Sequence, residues 1–576
     1  MTRKWAIQPA WDGARRLATS LKISPIVAQC LHNRGLDDPQ SARVFLQPRL
    51  NNLHPPEALA GAAPAAERLV QAAREGQRIV IYGDYDVDGV SGTAILWHVL
   101  RLGGADVDFH IPHRLEEGYG LNADALHGLA DGGAHVVVTV DCGITAVAEA
   151  ELARQLGLEL IITDHHQAPE PLPDAHIVHP AVEPAYPNPH LCGAGVAFKL
   201  AWSLAKRFCD SDRVSEPYRQ FLTEAIALVA LGTIADVVPL IGENRALAWY
   251  GLRGLAACRL PGLPALIESA GLSPEKIDSL DVGFALAPRM NAAGRMGHAR
   301  LVVELLTRAD EARAREIAAY LGEQNRQRQA LERDIFRQAR QMAVDRKMHT
   351  DGFRAIVLAR DDWHPGVIGI VASRMVEEFA KPTVLIAVGD QGGQGSGRSV
   401  EAFNMYDGLA AAREHVTAFG GHQMAGGLRI EPAKIGAFAE AFTAYANRAL
   451  TPEDLKHTLR LDAVIRLADL NEPLAESLES FGPYGVGNPR PRFATELLQL
   501  VGEPRCVGKS GDHLMFSVSQ DGTVRRAIAF RQGHQMRPLL DARCCRLAFE
   551  PYINEFRGRR SLQLRVADIR FPGEKE

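Results

Sequence analysis

Cysteine is scarce in this chain, eight residues among 576, scattered but for the adjacent Cys544 and Cys545, with no C-x-x-C pair. That spacing argues against a disulfide framework and against a cysteine zinc site, and leaves reduced, mostly buried thiols as the expectation. Long hydrophobic runs are missing too. No stretch approaches the roughly 18–20 apolar residues of a membrane span. The basic N-terminal segment MTRKWAIQPAWDGARRLA also lacks the continuous apolar core of a signal peptide. A cytoplasmic protein without membrane attachment is expected. There is no internal repeat and no low-complexity tract, and Gly and Pro are too modest for extended disorder. The length allows three or four domains, each with its own core.

A strong excess of one charge is also lacking. The net charge of −5 does not by itself point to nucleic acid. Its distribution is more informative. Residues 490–576 carry 16 Lys+Arg against 10 Asp+Glu, hence +6, which leaves −11 on the remainder. Fourteen of those sixteen cations are arginines, the residue that forks onto phosphate and stacks on bases. A positive module on an acidic body fits a polyanion guided toward a cation site, and an ordinary Arg-rich surface fits the charge equally well.

What the chain does have is alternation of strand and helix. Apolar, β-rich runs occur at 78–82, 107–111, 135–140, 158–163 and 176–179, separated by helical stretches such as 90–102 and 146–156. This pattern predicts a parallel sheet covered by helices on both faces. A second α/β region follows, with strands expected at 354–358 and 383–387 around a helix at 366–378. Between the two, residues 301–347 are rich in Glu, Arg, Gln and Ala and read as one long helix joining two lobes; without clean heptads, a dimerising coiled coil is the weaker alternative. Short β-like runs after Leu461 suggest a small barrel. The expected organisation is an N-terminal helical cap at 1–50, an α/β domain at 51–300, a connecting helix at 301–350, a second α/β domain at 351–450 and a barrel at 457–576.

Acidic and histidine motifs begin where the strands of the first region end. IYGDYDVDG supplies Asp84, Asp86 and Asp88; TVDCG supplies Asp141; IITDHH supplies Asp164, His165 and His166. In open α/β sheets ligands bind beyond the carboxyl ends of the strands, so the topology can bring these groups into one crevice. Carboxylates mixed with imidazoles suit Mn²⁺, Mg²⁺ or Zn²⁺, and clustered acids repel one another unless a cation sits between them. The D-x-D-x-D-G run is not a calcium loop, because it follows a strand and lacks the Glu that such loops place at their twelfth position. Asp236 lies in the apolar run LVALGTIADVVPL and should be paired, capping or metal-bound. A two-metal phosphodiesterase site is the expectation.

Together DYDVDG, VDCG, DHH and GTIADVVPL resemble the DHH phosphoesterase superfamily. GSGRS and GGHQMAGG resemble its associated DHHA1 domain. IPHRLEEGYGLN at 111–122 and PRMNAAGRMGHA at 288–299 narrow the likeness to the RecJ branch of single-strand-specific 5′→3′ DNA exonucleases. The resemblance implies that Asp86, Asp88, Asp141, His165 and Asp236 hold two divalent ions, Mn²⁺ or Mg²⁺, with Asp84 among the ligands or just outside them. It implies that His166 meets the scissile phosphate as a contact or proton donor, and Asp141, with two carboxylate oxygens, can bridge the metals. Two cations about 3.5–4 Å apart would activate water and neutralise charge on attacking and leaving oxygens. Arg114, Ser396 and Arg398 are candidates for a 5′-phosphate pocket, where glycine-flanked N–H groups and a guanidinium can meet phosphate oxygens; a flexible surface loop is the bland reading of GSGRS. His422 is placed as a catalytic contact from the second lobe. Arg289, Asn291 and Arg295 are expected to contact the strand or to lock the lobes together. The barrel resembles an OB-fold, with Phe516, Phe530, Arg531, Tyr552 and Phe556 as candidate stacking or core residues. The implied partners are single-stranded DNA, a single-strand-binding protein and a helicase, with the chain a monomer in recombination and repair. A phosphodiesterase of very short oligonucleotides and an inactive binding scaffold are the alternatives.

Overall fold

The computed structural model describes residues 3–113, 117–182, 186–295, 298–556 and 558–574. Strand β1 (Lys4–Ile7) is followed by three short helices between Ala14 and Leu46. A parallel sheet then forms from β2 (Ile79–Gly83), β3 (Val107–His110), β4 (Val136–Val140), β5 (Glu159–Thr163) and β6 (His176–Val178), in the order β3-β2-β4-β5-β6. Each of the central strands β2 and β4 is buried along its whole length, as continuous Val/Ile runs require. Their side chains alternate between the two faces. Ile79, Ile81, Val136, Val138 and Ile161 meet the helices Ala62–Arg74, Val87–Leu102 and Gly193–Phe208. Tyr82, Val137, Leu160 and Ile162 meet Ala123–Asp131 and Val147–Gln155 on the other face. The chain leaves β2 toward one edge for β3 and returns on its other side as β4, so the switch point lies above β2 and β4.

The long polar segment is not one helix. A first piece, Ala299–Thr307, ends before Asp310, whose carboxylate accepts the Arg313 N–H and starts a second piece of 35 residues, Glu311–Asp345. A capping aspartate satisfies an orphan donor at a new helix start, and that signal splits the segment. Ala314, Ile317 and Leu321 belong to the core of the first lobe, while Ile335, Ala339 and Ala343 belong to the core of the second. One helix is therefore rooted in both.

The second lobe is a mixed sheet of β7 (Ile356–Arg360), β8 (Thr383–Gly389), β9 (Gly392–Arg398), β10 (Ala418–Gly421) and β11 (Ala425–Ile430), in the order β10-β11-β9-β8-β7. The glycine-rich segment around 392–398 is thus an inner strand rather than a loop. A side chain on Gly395 would meet Leu428 at 2.7 Å, and one on Gly397 would meet Met405 Sδ at 2.7 Å. Large neighbours fill the space that this strand leaves bare.

The last unit begins with β12 (Thr458–Leu461), which pairs with β1. It continues with β13 (Ala463–Val464), β14 (Phe493–Ala494), β15 (Leu498–Val507), β16 (His513–Gln520), β17 (Thr523–Ala529), β18 (Cys544–Phe556) and β19 (Arg559–Arg570), which form one sheet resembling an OB-fold. β18 pairs with both β15 and β19, and β19 pairs with β17. The N-terminal helices share this core: Leu17, Val27 and Leu31 pack with Phe481, Phe549 and Leu564. Among the described residues, no helix is long and apolar enough to cross a membrane.

Candidate metal centre

Three loops and one helix end meet above the switch point. After β2, Asp86 caps the helix Val87–Leu102, its Oδ1 accepting the Asp88 N–H at 2.9 Å and the Gly89 N–H at 3.2 Å. Asp88, in the first turn, accepts from the Gly193 and Ala194 N–H groups at 2.5 and 2.9 Å. Those donors open the helix Gly193–Phe208, whose N-terminal dipole favours a carboxylate. After β4, Asp141 adopts φ +64°, a left-handed conformation that aspartate tolerates better than most residues. Asp236 ends the helix Glu216–Ala235. Val237 follows it at φ +63°, which for a β-branched residue costs on the order of 1–3 kcal/mol.

His165 Nε2 lies 3.1 Å from Asp141 Oδ1, 3.5 Å from Asp236 Oδ2 and 3.8 Å from Asp88 Oδ2. Burial pushes this imidazole below its usual range, so a neutral ring, able to offer a lone pair, faces three carboxylates. Neither His165 Nε2 nor Asp141 Oδ1 has a hydrogen-bond partner, although both are buried. Acceptors facing one another in a dry pocket are costly unless a cation lies between them. Among the described residues, three groups have ligand atoms within 4.8 Å of one another: Asp84, Asp86 and Asp141; Asp88, His165 and Asp236; and Asp141, His165 and His166. Asp141 belongs to two of them. Burial, together with neighbouring carboxylate charge, raises Asp86 and Asp141 and pushes Asp236 up to about 8. Oxygen donors, the neutral His165 imidazole and this mutual repulsion fit hard divalent ions.

His166 is held differently. Burial works against its charge, but the Asp164 carboxylate at 2.8 Å outweighs that and lifts it to about 9. A ring that keeps its proton suits a donor better than a ligand, since metal-bound imidazole is neutral. Asp164 also accepts the N–H groups of Ile144, His165 and His166. Its oxygens are spent on shaping the loop, a role that the triplet alone does not disclose. Tyr119 is a residue that sequence reasoning passed over. Its hydroxyl donates to the Asp141 carbonyl at 3.0 Å and lies 3.2 Å from His166 Nδ1. It stood in the same IPHRLEEGYGLN stretch as Arg114, and a polar aromatic there was the available signal.

Arg114 lies outside the described residues. Ser396 and Arg398 sit together on β9, Arg398 Nη1 being 3.1 Å from Ser396 Oγ, against Gly369 of the helix Pro365–Phe379. His422 is exposed in the β10–β11 turn, where its N–H donates to the Ala425 carbonyl at 2.8 Å. Asn291 accepts the Val87 N–H at 3.1 Å and so steadies the acidic loop. Arg295 reaches across the lobes to the Gly366 carbonyl at 2.7 Å. Arg289 donates to the Ala285 and Ser269 carbonyls. In the last unit Phe516 is core, Phe530 is exposed beside His513, and Tyr552 lies under Arg565, while the Phe556 side chain is outside the described ones.

Family models for the DHH family N-terminal domain, the DHHA1 domain and the RecJ OB domain match residues 78–233, 352–448 and 461–568. The single-stranded-DNA-specific exonuclease RecJ of Bacillus subtilis is 35% identical over 571 residues, spanning 98% of this chain and 70% of that protein. The Escherichia coli protein of the same name is 35% identical, spanning 95% of this chain and 96% of its own. The crystal structure of Thermus thermophilus RecJ in complex with Mn²⁺ superposes with a TM-score of 0.85 at 33% identity, covering 100% of this chain and 80% of that one. Its complex with Mg²⁺ gives 0.79 at 32% identity, covering 99% and 79%. With the three units in one order and this identity held along almost the whole length, the chain belongs to the RecJ family of the DHH/DHHA1 superfamily.

Proposed function

We propose that this protein is a metal-dependent exonuclease that hydrolyses single-stranded DNA from its 5′ end and releases 5′-mononucleotides. The carrying observation is His165 Nε2, buried without a hydrogen-bond partner among Asp88, Asp141 and Asp236. Asp84, Asp86 and Asp141 would hold one divalent ion and Asp88, His165 and Asp236 the other, with Asp141 adjoining both. Mn²⁺ or Mg²⁺ there would lower the pKa of a bound water and neutralise charge on the phosphodiester. His166, protonated through Asp164, stands ready to give a proton to the leaving oxygen, and Tyr119 fixes its ring. Ser396 and Arg398 would receive the terminal phosphate, with Arg114 as a further guanidinium and His422 closing from the second lobe.

The ring of strand pairings through β18, β15, β16, β17 and β19 supports reading the last unit as a closed OB-type barrel that holds the single strand. On this reading the chain divides into an N-terminal cap, catalytic domain, connecting helix, second lobe and barrel. It acts as a cytoplasmic monomer in recombination and repair, alongside a helicase and a single-strand-binding protein. Digestion of 5′- and 3′-labelled strands, single and duplex, with Mn²⁺ or Mg²⁺ tests this. Mononucleotides released first from the 5′ end of single strands are expected. Preference for dinucleotides, or no cleavage with either ion, overturns it.

A further inference from the structure

Beside the metal centre lies an apolar groove of about 350 Å³ that the chemistry above leaves unused. It begins at the helix end that carries Asp236 and is lined by Val237, Leu280, Phe284, Arg295 and Val486. Phe284 is 78% exposed and Val237 is 62% exposed. Phe284 stands on a π-helical turn, Val282–Leu286, a wide local geometry frequent at functional sites. Around it the elements are pinned. Leu240 N–H donates to the Val486 carbonyl at 2.8 Å, and Ser279 Oγ donates to the Tyr484 carbonyl at 2.6 Å. The exposed ring thus sits on a fixed platform, where all three units of the chain converge.

An aromatic ring left in water on a rigid support contributes little to the core, yet it offers a flat face at low entropic cost. The occupant must also lie next to Asp236. A strand whose terminal linkage is at the metals has one direction in which to continue, since everything beyond the terminal nucleotide belongs to the retained portion. Unpaired bases expose apolar π-faces that stack on aromatic side chains without regard to sequence, whereas bases in a duplex hide them. The charge of Arg295, which also lines the groove while its Nη1 holds the Gly366 carbonyl, complements the accompanying phosphate.

We infer that Phe284 is a stacking platform for a base on the retained, 3′ side of the cleaved linkage, a specificity element for unpaired DNA. The inference rests on the exonuclease reading above. The test uses 5′-phosphorylated strands carrying 2-aminopurine at successive positions, bound to Asp141→Ala protein with and without Phe284→Ala. Quenching is expected at a position beyond the first nucleotide, and it is lost with Phe284→Ala. In the active protein Phe284→Ala should raise KM for single strands roughly tenfold, by the worth of one base stack, while Phe284→Trp keeps KM near that of the parent. If the parent digests single strands but Phe284→Ala changes neither quenching nor KM, the platform is refuted alone. If quenching is confined to the terminal nucleotide, the assignment to the retained strand is refuted. A parent that leaves single strands undigested refutes the exonuclease reading and this inference together.

Discussion

Replacing Gly193 with alanine removes no ligand, yet it should disable the metal centre. A Cβ there would lie 2.6 Å from Asp141 Cβ and 2.8 Å from both Cγ and Oδ1 of the same residue. Ordinary contact between carbons is about 3.5–4.0 Å, so Asp141 or the helix must give by about 1 Å. The helix has little freedom to do so, because Gly193 N–H holds Asp88 and the surrounding residues are fully buried. Asp141 is therefore the group displaced, and it is the carboxylate common to two of the ligand groups. Misplacing a reacting group by 1 Å can cost about 100-fold in rate. Gly193→Ala should lower kcat/KM on 5′-labelled single strands by about that factor in Mn²⁺, and calorimetric titration should show weaker Mn²⁺ binding. Thermal melting serves as the control for folding, since overpacking of this size costs about 1–3 kcal/mol. A variant that melts as the parent does, binds Mn²⁺ equally and cleaves within about threefold of the parent would refute the close packing of helix against ligand.

Asp141→Ala should abolish detectable cleavage while leaving single-strand binding in place, as measured by fluorescence anisotropy beside the digestion assay. Asp164→Asn removes the charge that lifts His166 to about 9; it should cost roughly 10–100-fold in kcat, as changes to residues supporting a metal site do, and move the alkaline limb of the kcat–pH profile to lower pH. Asp236 has a folded value of about 8 against an ordinary carboxylate value of 3.8, so the metal-free native state binds the extra proton between those limits and loses stability as pH rises through them. Metal binding expels that proton, so Mn²⁺ affinity and the Mn²⁺-induced rise in melting temperature should both grow from pH 6 to 8 and level off above; a shift that is flat or falling over this range would contradict the crowding of carboxylates.

The parts of this molecule legible in the sequence are those fixed by local pattern. A strand buried on both faces must read as an unbroken apolar run, so β2, β4 and β5 announce themselves, and the acids that end them mark the rim of the sheet. Asp84, Asp86, Asp88, Asp141 and Asp236 are legible for the same reason: acids are expensive beside such runs and need a purpose. What escapes is set by contacts between distant segments. Asp164 and His165 are neighbours that could each ligate a metal, yet one spends its oxygens on the N–H groups of its own loop and the other turns its ring to the carboxylates; only the backbone path separates the two roles. The glycines of β9 carry no strand propensity of their own, and Leu428 and Met405 arriving from elsewhere in the chain make that bare surface a core. The N-terminal helices lie beside the catalytic domain in sequence but bury Leu17 and Leu31 against Phe481 and Leu564, more than 400 residues away. Phe284 is the converse case. Its neighbours in sequence make it read as one more apolar helix residue, and only the packing of Val282 and Leu286 inward leaves its ring facing water in the groove that starts beside Asp236.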